Sequence, residues 1–201
     1  MAAVDPLTEH LADYIATHAL EPGSRLPPER ELAAQIGISR SALREATRRL
    51  IGVGLLEPRT GSGTYLAEVD HADLMLVRLQ LEPTAASLAA ARADDAQLAE
   101  IRSQFGRLRR LVGRPAAFAD ADLELHGAIA DLSRNRFLQG CLAQLNAVLR
   151  LSRARTAPDP QRRAQTVAEL DDLVSALLRR DADGAEAAMR AHLLGVRETL
   201  G

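Results

Sequence analysis

Two runs with helical periodicity, PPERELAAQI and RSALREATRRLI, are parted by only Gly37, Ile38 and Ser39, and that punctuation constrains the fold more than any other feature of the chain. A glycine just past a periodic run ends a helix in the left-handed conformation that suits glycine best. A serine just before the next run starts a helix by accepting a hydrogen bond from its free backbone N–H groups. The pattern predicts a helix over 28–36, a tight turn, and a second helix from the Ser39 cap to Ile51, which is helix-turn-helix spacing.

The flanking segments extend this unit. Asp5 and Pro6 are read as a cap and first helical residue, followed by Leu7, Leu11, Tyr14, Ile15 and His18 at helical spacing, with a stop before Glu21-Pro22-Gly23-Ser24. After Gly54 the segments LLEPR and TYLAE flank TGSG and read as two short strands around a glycine-rich turn, a wing. Residues 1–68 are therefore expected to form a winged helix-turn-helix and 69–72 a linker. Residues 73–201 are expected to form an antiparallel bundle with helices over 73–93, 95–112, 115–133, 135–156, 159–180 and 182–200. Pro83 should kink the first of these or move its start. The fold class is mainly α, in keeping with an apolar share of 47% drawn mostly from Ala and Leu, with aromatics at 2%.

All 25 basic residues are Arg, yet the formal net charge is −2, so contact with a polyanion has to be local. The single cysteine, Cys141, beside Leu142 and Leu145, is read as a buried small hydrophobe. Neither a signal peptide nor a membrane span is evident, and the protein is expected in the cytoplasm.

Arg40, Arg44 and Arg48 recur four residues apart on one face of the second helix, while Leu43, Ala46 and Leu50 occupy another. Alone, such a run is a solvated face with Glu45 pairing to Arg48 or Arg49. After a glycine turn and a serine cap, and ahead of a glycine-tipped hairpin, it suits the major groove, where Arg bonds guanine O6 and N7. The run PGSRLPPERELAAQIGISRSALREATRRLIGVGLLEPRTGSGTYLAE resembles the N-terminal domain of GntR-family bacterial transcription regulators, over residues 7–68. The resemblance implies DNA contacts at Arg30, Ser39, Arg40, Ser41, Arg44 and Gly61. Arg48 and Arg59 are secondary candidates for DNA contact, since either could serve only phosphates.

Several polar residues fall where periodicity places the core. Asp122 and His126 interrupt the stripe Phe118, Leu125, Ile129, Leu132; His192 lies on Met189, Leu193, Val196, Leu200; Arg78 lies on Leu74, Leu81, Leu88. Unpaired buried charge is costly, so these groups should share partners or face a cavity. Asp122 and His126, one helical turn apart, project toward one point as two metal ligands would. The six-helix region resembles the FCD effector-binding domain of the FadR subfamily in its VanR-like branch, through RLQLEPTAASLAAARA, DLELH with SRNRFL, and AAMRAHL. That resemblance implies an effector contact at Arg78 and a motif of Asp122, His126 and Asn135 completed by His192, with Asn135 also at the effector. Where metal-binding members carry a further histidine, this chain has Leu170, leaving either a zinc or nickel ion on Asp122, His126 and His192 or a metal-free pocket.

The expected function is a homodimeric repressor that binds a two-fold double-stranded DNA operator and answers to a small-molecule effector, an organic (carboxylic) acid. A helical metalloenzyme centred on Asp122, His126 and His192 is the alternative, weakened because Glu124 should point away from the ligand face. A winged helix used only for protein contact is a third reading, and the arginine stripe argues against it.

Overall fold

The computed structural model describes residues 6–18, 20–153 and 159–198. The chain divides into two compact units, Ala3–Asp70 with Ala147–Ala154, and His71–Asn146 with Arg155–Gly201.

In the smaller unit, α1 (Pro6–Thr17), α2 (Glu29–Ile36) and α3 (Arg40–Gly52) precede strands β1 (Leu56–Arg59) and β2 (Gly63–Leu66). The proposed Asp5 cap lies outside the described residues. α2 ends at Gly37 in the left-handed region, φ 79°, and α3 begins at Ser39, whose side chain accepts from the Ala42 amide. Each helix contributes its apolar stripe to one core: Leu11 and Ile15 from α1, Leu32 and Ala33 from α2, and Leu43, Ala46 and Leu50 from α3. β1 and β2 pair antiparallel with Leu56 opposite Leu66 and Arg59 opposite Gly63. A third segment braces this hairpin: the Gly23 and Leu26 amides donate to the Leu66 and Thr64 carbonyls, and the Leu66 amide donates back to Ser24.

The larger unit holds α4 (His71–Arg92), α5 (Asp95–Arg110), α6 (Pro115–Leu132), α7 (Arg136–Arg153) up to Asn146, α8 (Pro160–Leu178) and α9 (Ala182–Glu198). Pro115 and Pro160 separate helices by opening the next, each at the first turn where a missing N–H costs nothing. Asp94 caps α5 in a capping box with Gln97. α4 packs most extensively on α9, and its Ala86, Ala89 and Ala90 are fully buried, so small side chains let the helices approach closely.

α4 runs unbroken through Pro83 from His71, two residues before the expected start. Proline deprives the carbonyl four residues earlier of its helical donor. That carbonyl, on Leu79, accepts instead from Arg190 Nη1 on α9 at 3.2 Å. Cys141 corrects the sequence reading, since it is exposed. α7 turns Leu142 into a cluster with Ala85 and Ala130, with Leu138 and Leu145 packed beside it, and Cys141 falls on another face. Among the described residues, no helix is long and apolar enough to cross a membrane.

Because an alanine in the left-handed region costs about 1–2 kcal/mol, Gly37→Ala should lower the stability of the smaller unit by that amount in denaturant unfolding. An unchanged midpoint would show that the α2–α3 turn tolerates another geometry.

Candidate nucleic-acid interface and metal centre

Burial of Leu43, Ala46 and Leu50 leaves the opposite face of α3 in solvent, and the Arg40, Arg44 and Arg48 side chains there are 60%, 56% and 75% exposed. Arg30, Ser39, Ser41 and Gly61 are exposed in the same unit. Ser39 and Ser41 share a hydrogen bond of 2.9 Å between their hydroxyls, on top of the Ser39 cap. Gly61 has φ 71° in the turn between the wing strands, where a side chain would be strained. Arg48 and Arg49 both pair with Glu45, the solvated-face arrangement, whereas Arg44 Nε lies 2.6 Å from Glu29 Oε1 on α2 and Arg40 Nε 3.7 Å from the same oxygen.

A cleft of about 320 Å³ borders this edge, lined by Arg25, Pro28, Glu29, Arg44, Arg48 and Gly63 among others. A Cβ on Gly63 would sit 2.9 Å from Arg25 Nε, and its φ of 123° already requires glycine. Arg25 and Glu29 were not singled out from the sequence. Chemically, the edge offers forked donors suited to phosphate oxygens or guanine acceptors.

In the larger unit, two chains of buried charge meet at a pair of histidines. In the first, Arg78 on α4 grips Glu82 one turn on through Nε and Nη2, and His126 Nδ1 on α6 lies 2.5 Å from Glu82 Oε2. In the second, Arg162 on α8 holds Glu169 through two bonds of 2.7 Å, and His192 Nδ1 on α9 lies 2.8 Å from Glu169 Oε2. The chains face each other through His126 Nε2 and His192 Nε2, 3.2 Å apart, with Asp122 Oδ1 3.7 Å from His126 Nε2. Arg78, Glu82, Asp122, His126 and His192 are all buried.

Burial alone would raise the Glu82 carboxyl, but the Arg78 and His126 charges and their hydrogen bonds outweigh it and hold Glu82 well below the carboxylate range. Glu169 is lowered likewise, by hydrogen bonds from His192 and Arg162 against its partial burial. Burial pushes His192 down despite the hydrogen bond to Glu169, and the neighbouring His126 adds to the lowering. An ionised carboxylate only accepts, so both Nδ1 atoms carry hydrogen, and both rings turn Nε2 toward one point.

Two nitrogens bound to a tetrahedral zinc at about 2.0–2.1 Å stand about 3.3–3.4 Å apart. The observed 3.2 Å suits that chord, and Asp122, His126 and His192 each place a ligand atom within 4.8 Å of the others. Carboxylates behind ligating histidines are the usual way such rings are oriented. The donor set therefore fits a divalent ion, with Asp122 as the anionic ligand.

The sequence picked out Arg78, Asp122, His126 and His192, and the structure brings all four into this network. Arg78, expected at an effector, has its guanidinium occupied by Glu82. Asn135 caps α7: its Oδ1 accepts from the Phe137 and Leu138 amides. Leu170 is fully buried in the main core with Leu173, Val174 and Leu177. Glu124 is exposed and bonds Arg107 at 2.7 Å, away from the histidines. Glu82, Glu169 and Arg162 were missed. The four-residue spacing of Arg78 and Glu82 was a signal for the first chain; the second spans α8 and α9 and left none. Gly195 makes it possible, since a Cβ there would lie 2.7 Å from Glu169 Oε1 and 3.1 Å from Arg162 Nη1.

A model described as bacterial regulatory proteins, gntR family, matches residues 4–66, and the FCD domain model matches residues 73–195. A regulatory protein assigned to the L-lactate dehydrogenase operon of Escherichia coli (strain K12) is 30% identical over 98% of this chain and 85% of its own length. The galactonate operon transcriptional repressor of the same organism is 30% identical over 83% of each chain. Among solved structures, E. coli McbR/YncC has a TM-score of 0.82 over 100% of this chain and 97% of that one; at 22% identity this is a likeness of fold.

His192, Glu82 and Glu169 are all depressed in the folded state, so the unfolded chain binds more protons as pH falls and acid weakens the fold. In chelator-treated protein the urea midpoint should decline as pH drops below 6.5, the ordinary histidine value, and again below 4.5, the ordinary glutamate value. Glu82→Gln should soften the second decline and cost about 3–5 kcal/mol at pH 7, because it leaves Arg78 buried without its partner. A midpoint independent of pH between 7 and 4 would contradict the buried network.

Proposed function

The chain belongs to the GntR family of bacterial regulatory proteins and carries an FCD domain, and we propose that it is a homodimeric repressor whose operator affinity is set by a carboxylic acid bound at a metal centre. The family makes it a DNA-binding transcription regulator rather than an enzyme. Residues 1–68 act as the DNA-binding head and 73–201 as the effector domain. On DNA, Arg40 and Arg44 read bases from the major groove with Ser39 and Ser41, Arg30 anchors α2, and Gly61 lets the wing backbone approach the minor groove. Two such heads suit a two-fold symmetric operator.

The observation that supports the metal is the pair of imidazole Nε2 atoms 3.2 Å apart, each ring held by a carboxylate behind it. Asp122, His126 and His192 would hold a zinc or nickel ion, which would offer Lewis-acid positions to an anion. Leu170 supplies no ligand, so positions stay open. The Arg78 guanidinium already pairs with Glu82, so it supports the site through Glu82 and His126, and the acid's carboxylate goes to the open positions. With ionised Glu82, Glu169 and Asp122 against Arg78 and Arg162, a divalent ion leaves the centre positive by one charge and ready for a carboxylate. The relatives named for lactate dehydrogenase and galactonate operons concern hydroxy acids, a class able to chelate through carboxylate and hydroxyl.

For chelator-treated protein, zinc or nickel at ~100 times its dissociation constant should add about 2.7 kcal/mol of stability, a shift of several degrees that His126→Ala removes. No shift with either ion would reject the metal and leave hydrogen-bonded His126 and His192 as the pocket's donors. Separately, Arg44→Ala should cost about 1–3 kcal/mol of operator binding and relax preference at one base pair. A uniform loss over all sequences would make Arg44 a phosphate contact.

A further inference from the structure

Glu29 is the acidic residue that meets the proposed base-reading arginines. It opens α2, and its Oε1 lies 2.6 Å from Arg44 Nε and 3.7 Å from Arg40 Nε, across the turn from α3. That oxygen is shut off from solvent and makes no aligned hydrogen bond, so charge alone holds the three groups together. Both contacts use Nε, the inner nitrogen of the guanidinium. The Arg40 and Arg44 side chains are otherwise more than half exposed, so their outer nitrogens are within reach of a ligand.

We propose that Glu29 is a specificity-setting residue: it holds Arg40 and Arg44 by their inner nitrogens so that the outer Nη pairs read guanine, and it weakens the same arginines as phosphate clamps. This rests on the DNA-reading role proposed above for α3. Non-specific affinity comes almost wholly from cations neutralising phosphates. A carboxylate beside two guanidiniums halves their joint charge and repels a phosphate. The guanine edge is neutral, so its O6 and N7 can accept from an Nη pair while Nε stays on Glu29. Glu29 thus subtracts more from non-specific than from specific binding, and discrimination rises.

The test uses full-length Glu29→Gln, which keeps size and hydrogen bonding but removes the charge. Glu31→Gln is the control: it removes an exposed acid from the same first turn of α2. Probes are a duplex selected by the wild-type protein from a randomised pool and a scrambled duplex of equal composition, both titrated from 50 to 200 mM salt. Glu29→Gln should bind the scrambled duplex more tightly, with a log–log salt slope steeper by about 0.9, the value of one further phosphate. Its preference for the selected duplex should fall about tenfold, within the range of one guanine contact. Glu31→Gln should leave both quantities unchanged. Unchanged preference and slope in Glu29→Gln, or equal weakening on both duplexes, would overturn the proposal and make Glu29 a packing residue. Failure of the wild-type protein to select any duplex would overturn the base-reading role itself, and Glu29's with it.

Discussion

The interaction on which the larger unit turns is the meeting of two imidazole rings, Nε2 toward Nε2, at the inner ends of two ion-pair chains. The rings are turned this way because each Nδ1 is taken up by a carboxylate behind it, which leaves the two Nε2 atoms facing each other at 3.2 Å. Glu82 and Glu169 make the arrangement possible by accepting hydrogen bonds from both Nδ1 atoms, and Arg78 and Arg162 neutralise those carboxylates, the first buried and the second half-buried. A network of this kind is costly to interrupt anywhere, since every member neutralises or orients the next. A divalent cation at the centre, as proposed above, would make the same residues serve stability and ligand binding.

Backbone details elsewhere serve that centre. Gly195 keeps α9 bare where Glu169 and Arg162 pass over it. Pro83 sits immediately after Glu82, and the carbonyl it orphans is taken up by Arg190, which ties together α4 and α9, the helices that carry Glu82 and His192. α4 and α9 also share the most extensive helix contact of the chain.

In the smaller unit the governing constraint is that charge must be local. A chain with a net charge of −2 has no general attraction for DNA, so affinity has to come from a local patch, and the exposed arginine face of α3 is the one proposed. The face exists because Leu43, Ala46 and Leu50 bury the other side of the same helix. Glu45 and Glu29 then divide the arginines between them: Arg48 and Arg49 on the first, Arg40 and Arg44 on the second. The first partition was legible as helical spacing, while the second crosses a turn and was not.

The helix-turn-helix was readable from Gly37 and Ser39 alone, because a left-handed stop and a side-chain cap are local chemistry that no tertiary context need supply. Asp122, His126, His192 and Arg78 could be singled out because a polar residue on an apolar stripe demands an explanation. Apart from Glu82, one turn from Arg78, their partners could not: Glu169 reaches His192 from another helix, and Asn135 and Cys141 took a cap and an exposed face where sequence suggested a ligand site and a core. Arg180 shows the same limit, adopting φ 56° where a glycine would be expected while its guanidinium bonds the Ala93 carbonyl and Asp95. Periodicity and capping act within one turn of the chain, so the sequence by itself determined the helices, their order and the faces they bury. Which carboxylate meets which histidine or arginine depends on helices distant in sequence being packed to within an ångström, and only the tertiary structure decided it.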